Sequence, residues 1–337
     1  MTRLSDLVRE QSKGGQAPNA TRPGGSDGVQ RSCTISAKPV VANDDAVGEL
    51  YSEAEQELQH LIQAVRSQAA LPIDRLTQLA ADIGSRMQRN DDLLVRVLAG
   101  RLGRPLVHNP INVAILAAKL ALGLGYEPEA VQRVTLAGLL HDIGMGLLPE
   151  SLVDKAEPFS RQDRELLEQH PQKGFQLLAA LGSRYEWLAT VVKQEHERWG
   201  GQGYPGRLQG AQIHEYAQII GLGDTLDAMI NPRPYRRQVL PHFALRDCMV
   251  KMKGTFSPSL IKTLVDQLSL YPLGTFVRLN TGEVGVVSLL NRRYPLRPHL
   301  AITQLPGSDA QEPGKHVDLS QTSSLYIVEV LKPQDVG

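Results

Sequence analysis

Apolar positions along residues 47–102 return at helical spacing. Leu50, Leu58, Leu61, Ile62 and Val65 form one stripe, Leu71-Pro72 interrupts it, and Leu76, Leu79, Ile83 and Met87 resume it. The pattern predicts helices packed as an N-terminal cap on the rest of the chain. A further helix is expected from about Pro110 to Leu124, with Val113, Leu116, Ala117 and Leu120 on one face and His108 just ahead of its first turn. Residues 127–141 predict another. Pro128 stands where its missing N–H costs nothing, Val131, Val134, Leu136, Leu139 and Leu140 supply the apolar face, and Gly144 ends it.

Ser160 with Asp163 reads as a capping box that opens a helix running to Gln169. His170 precedes Pro171, so its backbone is expected outside the helical region, with a new helix restarting at the proline. Trp187, Leu188, Val191 and Val192 build a helix that His196 closes, and residues 199–206 form a glycine-dense loop. Residues 216–230 read as a helix with Asp224 and Asp227 on one face. Beyond Leu270 the period shifts to two. Phe276 to Leu279, a turn at Asn280-Thr281-Gly282 and Val284 to Val287 predict a hairpin, with later strands near residues 300–303 and 325–330.

Composition divides the chain further. Residues 1–45 are rich in Gly, Ser, Pro, Asn and Gln and hold too little apolar surface to offset their conformational entropy, so a disordered tail is expected there. The expected organisation is that tail, an N-terminal helical region over 46–102, a catalytic-sized domain over 103–270 and a small β module over 271–337. The 337 residues are 42% hydrophobic, enough for a substantial core. Lys+Arg and Asp+Glu are both 36, a balance that predicts neither a nucleic-acid nor a membrane surface. Two cysteines, Cys33 and Cys248, make neither a disulfide framework nor a ligand pattern. The start of the chain has no apolar leader, and the most hydrophobic stretch, 113–125, is interrupted by Lys119 and short for a bilayer. These features place the expectation in the cytoplasm.

The chemistry centres on His141-Asp142, where an apolar helix stops. An imidazole beside a carboxylate suits a divalent cation; taken alone, the dipeptide favours a plain helix end, with the His facing the last carbonyls and the Asp capping the next turn. Its company changes the balance: His108, His170, His196 and Asp224 also fall at helix ends or on helix faces.

An isolated His, a His-Asp pair and a distant Asp, in this order, resemble the HD superfamily of metal-dependent phosphohydrolases. His170-Pro171, the stretch Glu195-His196-Glu197-Arg198-Trp199-Gly200-Gly201-Gln202-Gly203-Tyr204-Pro205, Asp224-Thr225-Leu226-Asp227-Ala228 and Arg233-Pro234-Tyr235-Arg236 narrow the resemblance to its HD-GYP family, over roughly residues 95–270. The resemblance implies a mainly α fold, an HD-type helical bundle with an N-terminal helical cap and the small C-terminal β module. It implies a metal-dependent phosphodiesterase that hydrolyses the bacterial second messenger cyclic di-GMP to pGpG or GMP. Two divalent ions are expected, iron or manganese, with zinc also compatible with imidazole and oxygen ligands. By resemblance, His108, His141, Asp142 and Asp224 hold one ion, His170 and His196 complete the second beside Glu195, and Asp142 bridges; His141 and Asp142 are the catalytic pair. Tyr204, Arg233 and Arg236 match residues that contact the dinucleotide. The competing roles are a turn aromatic covering the core for Tyr204 and a solvated basic loop for the arginines.

Four positions depart from the family pattern. Met145 stands where a lysine reaches the substrate phosphate, Glu195 replaces a histidine, Gly200 replaces an aspartate, and Arg104 replaces an acid found in three-metal members, which is why two ions are expected. These departures motivate an alternative: a weak or inactive cyclic di-GMP receptor or adaptor that binds a signalling partner such as a GGDEF-type protein. A further alternative is hydrolysis of another phosphate ester, because HD folds serve several nucleotides.

Overall fold

The first described element, α1 (Asp45–Ser67), is followed by α2 (Ile73–Arg89) and α3 (Asp92–Leu98). The computed structural model describes residues 45–98, 105–153, 155, 157–230, 252, 254–268, 271, 274–291, 294, 297–304 and 315–331. Of the tail expected over 1–45, residues 1–44 lie outside the described residues, as do Arg104, Arg233 and Arg236, whereas Asp45 already belongs to α1. The break at Leu71-Pro72 falls where the sequence puts it, and α2 buries Ile73, Leu76, Leu79, Ile83 and Met87. These N-terminal helices share one continuous core with the later helices. Leu58, Leu76 and Leu79 are buried in the same cluster as Leu116, Leu139, Val191 and Leu222.

The middle of that core is α4 (Pro105–Gly123), with Val113, Ala114, Ile115, Leu116, Ala117 and Ala118 all inaccessible to solvent. By length and composition it is apolar enough to cross a membrane, yet 78% of its 18-residue apolar window is buried inside the protein. Its one buried cation, Lys119, is paired with Asp91 at 2.5 Å. The helix starts five residues earlier than expected. Proline suits a first helical position, and Pro110 is accommodated inside the helix. His108 therefore belongs to the first turn instead of preceding it.

Next comes α5 (Pro128–Leu140), which crosses α4 so closely that a methyl group on Gly138 would sit 2.6 Å from the Ala114 Cα. His141 is its C-cap, and a 3-10 turn over Ile143–Leu147 carries the chain through Gly144, which does not itself end the helix. A short α6 (Glu150–Val153) leads to α7 (Arg161–Leu167), opened by the expected Ser160/Asp163 capping box but ending before Gln169.

His170 is the first residue of α8 (His170–Ala179), with Gln169 at its N-cap, which corrects the expectation that it stays outside the helix. The bias against helical backbone before proline is overridden by packing. Any side chain on Gly144 would collide with the His170 carbonyl, and the His170 ring bonds back to the Leu167 carbonyl at 2.6 Å. Among the described residues the bundle continues with α9 (Glu186–Gln194), α10 (Glu215–Ile230) and α11 (Pro258–Gln267), the last capped by the Ser257 hydroxyl.

Five antiparallel strands close the described chain in the order β4-β3-β2-β1-β5. They are β1 (Phe276–Leu279), β2 (Val284–Leu289), β3 (His299–Gln304), β4 (His316–Asp318) and β5 (Ile327–Leu331). The sequence misses β4, whose three residues are too few to register a period of two. Val277, Leu279, Val287, Leu300 and Ile302 form a separate small core, and Tyr271 packs against both it and the helical core.

Candidate metal centre

Three helix ends deliver the site. The C-terminus of α5 presents His141 and Asp142, the first turn of α8 presents His170, and the C-terminus of α9 presents Glu195 and His196. Two glycines permit the approach: Gly144 lies against the backbone of His170, and Gly221 of α10 lies against the Glu195 carbonyl.

Asp142, His170, Glu195 and His196 each turn one ligand atom to a common point, with those atoms all within 4.8 Å of one another. His170 Nε2 is 3.3 Å from Asp142 Oδ1, 3.2 Å from Glu195 Oε1 and 3.1 Å from His196 Nε2. His141 Nε2 joins from the side, 3.5 Å from Asp142 Oδ2 and 3.8 Å from Glu195 Oε2.

Two observations say that this donor set fits a cation. First, the Nδ1 atoms of His141 and His170 face the carbonyls of Gly138 and Leu167, at 2.8 and 2.6 Å. A proton on Nδ1 leaves the Nε2 lone pair free toward the cluster, the arrangement by which outer hydrogen bonds orient a metal-binding imidazole. Second, His141 Nε2 and Glu195 Oε2 are fully buried and have no hydrogen-bond partner. Each such atom costs about 1–3 kcal/mol, a penalty that a cation between them removes.

The charges are strongly coupled. Burial opposes a positive His141, yet the carboxylates of Asp142, Glu195 and Asp224 together lift it to about 9. Burial also pushes Glu195 up to about 7, against the pull of His141 and His170. His170 is raised, despite its burial, by its hydrogen bond to Glu195 and the charge of Asp142, whereas burial and the neighbouring His170 hold His196 well below its usual value. Negative oxygens thus surround imidazoles that compete for protons.

Not every expected ligand joins the cluster. His108 is engaged elsewhere: its Nε2 lies 2.9 Å from Glu55 Oε1 of α1, and its buried Nδ1 has no partner. A proton on Nε2 directed at the Glu55 carboxylate leaves the Nδ1 lone pair free, although His108 lies outside the four-residue cluster. Asp224 accepts from Asn109 Nδ2 at 3.1 Å and is close enough for its charge to act on His141, His196 and Tyr204. Tyr204 stacks on His196, with ring centroids 4.7 Å apart and planes 17° from parallel, and burial pushes its phenol up so that it stays protonated. Met145 sits one turn past Asp142, its N–H donating to the Asp142 carbonyl at 2.8 Å.

The sequence pattern leaves two carboxylates unmarked. Glu197 is 2% exposed and accepts from the backbone N–H groups of Gly206 and Leu208 at 2.5 and 2.9 Å, which ties down the loop that carries Tyr204. Its place inside the motif over residues 195–205 was the available signal. Glu55 lies on a distant amphipathic helix, where nothing in the sequence separates it from a solvated acid.

An all-α bundle whose helix ends gather His141, Asp142, His170, Glu195 and His196 is the architecture of a metal-dependent phosphohydrolase, and residues 51–260 match the model of the HD domain. The chain belongs to the HD domain family. Residues 276–337 match a KOW domain associated with the HD domain. Among curated relatives, the chain is 28% identical over 287 residues to a cyclic di-GMP phosphodiesterase of Pseudomonas aeruginosa, an alignment covering 85% of this chain and 69% of that one. It is 29% identical over 151 residues to the cyclic di-GMP phosphodiesterase response regulator RpfG of Xanthomonas campestris, covering 44% of this chain and 40% of that protein's length. A solved structure from Bdellovibrio bacteriovorus, described as an HDG"Y"P protein, superposes with a TM-score of 0.55 at 19% identity over 68% of this chain and 74% of that one, which shows the shared fold.

Proposed function

We propose that the chain is a metal-dependent phosphodiesterase acting in the cytoplasm on cyclic di-GMP, releasing pGpG or GMP. The observation that carries the reading is the convergence of Asp142, His170, Glu195 and His196 beside the two unpartnered buried atoms, His141 Nε2 and Glu195 Oε2. The substrate is supported by relatives from two organisms that bear this activity in their names.

The ligand set is imidazole and carboxylate without sulfur, which suits iron or manganese and tolerates zinc. In this reading two ions would be held, one by His108, His141, Asp142 and Asp224 and the other by His170, Glu195 and His196, with Asp142 shared. Divalent cations held there supply positive charge against a phosphodiester and lower the pKa of water. The protein's own part is to fix the ligands. The carbonyls of Gly138 and Leu167 set two imidazole tautomers, and the stacked Tyr204 covers His196 and keeps a phenolic donor at the edge of the site. Arg233 and Arg236 are proposed to grip the substrate phosphates bidentately.

His141→Ala tests the reading. The expected outcome is loss of bound metal and of cyclic di-GMP hydrolysis together; unchanged hydrolysis contradicts it. A second reading, a receptor that binds the nucleotide or a GGDEF-type partner without turnover, is favoured by Met145 beside Asp142, since a thioether supplies no charge to a phosphate. Metal and nucleotide bound with no product formed selects that reading.

A further inference from the structure

Helix α1 is fastened to the site by two pairs of side chains. Tyr51 and Glu55, one turn apart on α1, meet Asn112 and His108, one turn apart on α4. From Tyr51 a run of hydrogen bonds continues inward. Its hydroxyl donates to Asn112 Oδ1 at 2.8 Å, Asn112 Nδ2 donates to Asp227 Oδ1 at 2.8 Å, and Asn109 Nδ2 donates both to Asp227 Oδ2 at 2.8 Å and to Asp224 Oδ1 at 3.1 Å. Tyr51, Asn109, Asn112 and Asp227 are all buried, Asp227 at 3% exposure.

The direction of each bond is determined by chemistry. An ionised carboxylate only accepts, so both amides turn their nitrogens to Asp227. This leaves the Asn112 oxygen for Tyr51 and the second Asn109 hydrogen for Asp224. Neither amide can flip without losing a bond in a buried place, where an unmade bond is costly. Packing alone does not call for this arrangement, because apolar side chains of similar volume fill such a space at no loss of stability. What the network accomplishes, and apolar side chains would not, is to hold one oxygen of Asp224 in a single orientation.

Resting on the reading that Asp224 faces the ions, we propose that Asp227 is a positioning residue that acts through Asn109 on Asp224. In the same proposal Tyr51 of α1 completes the network from outside, so that metal affinity depends on the N-terminal helix. In this proposal neither Tyr51 nor Asp227 is an ion ligand.

The test is Mn(II) binding to the full chain, followed by calorimetry. Tyr51→Phe removes one hydroxyl and keeps the ring that packs against α4. It is expected to weaken Mn(II) binding about fivefold, the equivalent of one ordinary hydrogen bond, and Asp227→Asn about 10-fold to 100-fold, the range for groups that orient a ligand. The decisive arm is Tyr51→Phe made in an Asp224→Ala background. If Tyr51 acts through Asp224, the hydroxyl has no further effect there. Wild-type affinity in Tyr51→Phe, or the same fivefold loss in the Asp224→Ala background, overturns the proposal. His170→Ala serves as the control: loss of Mn(II) binding upholds the metal reading independently, while undiminished binding overturns that reading and this inference with it.

Discussion

At the scale of single residues, the site depends on which atoms have partners. His141 and His170 are prepared ligands because a backbone carbonyl three residues back holds each Nδ1. His108 is held by a side chain instead, the Glu55 carboxylate on its Nε2, which leaves its buried Nδ1 without a hydrogen bond. The sequence shows that histidines recur at helix ends; it does not show which carbonyl or carboxylate each ring meets, because those partners come from other helices or from backbone geometry. Glu197 illustrates the same limit. Its two oxygens clamp the loop behind Tyr204, so Glu197→Gln, which turns a donor toward one of two loop N–H groups, is expected to raise the KM for cyclic di-GMP on the order of 10-fold, the loss of one charge-assisted hydrogen bond. Metal content should stay at the wild-type level. A variant with unchanged KM, or one that loses its metal as well, contradicts the role assigned to this carboxylate.

At the scale of elements, periodicity placed most of the helices, and the errors lie at ends where two signals competed. The start of α4 is hidden because Pro110 reads as a boundary when it lies inside the helix, and His170 reads as outside α8 because the rule for residues before proline ignores what Gly144 packs against. The cap of α7 was legible because its signal is local. It also yields a pH prediction. The Lys155 ammonium, then the Ser160 N–H and side chain, hold the Asp163 carboxylate at about 2, below the usual 3.8. A lowered folded-state pKa contributes stability that is fully present above the unfolded value and is lost as pH falls through the folded one. Asp163→Asn therefore should melt at a lower temperature than the wild type at neutral pH, with the gap closing between pH 3.8 and about 2. A gap that stays constant across that window contradicts the assignment.

At the scale of the whole molecule, the order of motifs identified the family, and the separate period-two region marked the β module with its own core. What the order of motifs left open is how the N-terminal helices relate to the site. They share its core, and α1 sends Tyr51 and Glu55 to the helix that carries His108 and Asn112. Long-range contacts of this kind, 61 residues apart for Tyr51 and Asn112, leave no local trace in a sequence.

A working phosphodiesterase centre here must tolerate Met145, Glu195 and Gly200. The most direct measurement takes anaerobically purified full chain, counts its metal, and incubates it with cyclic di-GMP under Mn(II) or Fe(II), with a chelator-stripped sample alongside, before the products are separated by chromatography. Two bound ions per chain are expected, with pGpG or GMP in the metal-loaded sample alone. Metal-loaded protein that leaves cyclic di-GMP intact, or hydrolysis that survives removal of the metal, contradicts the phosphodiesterase reading.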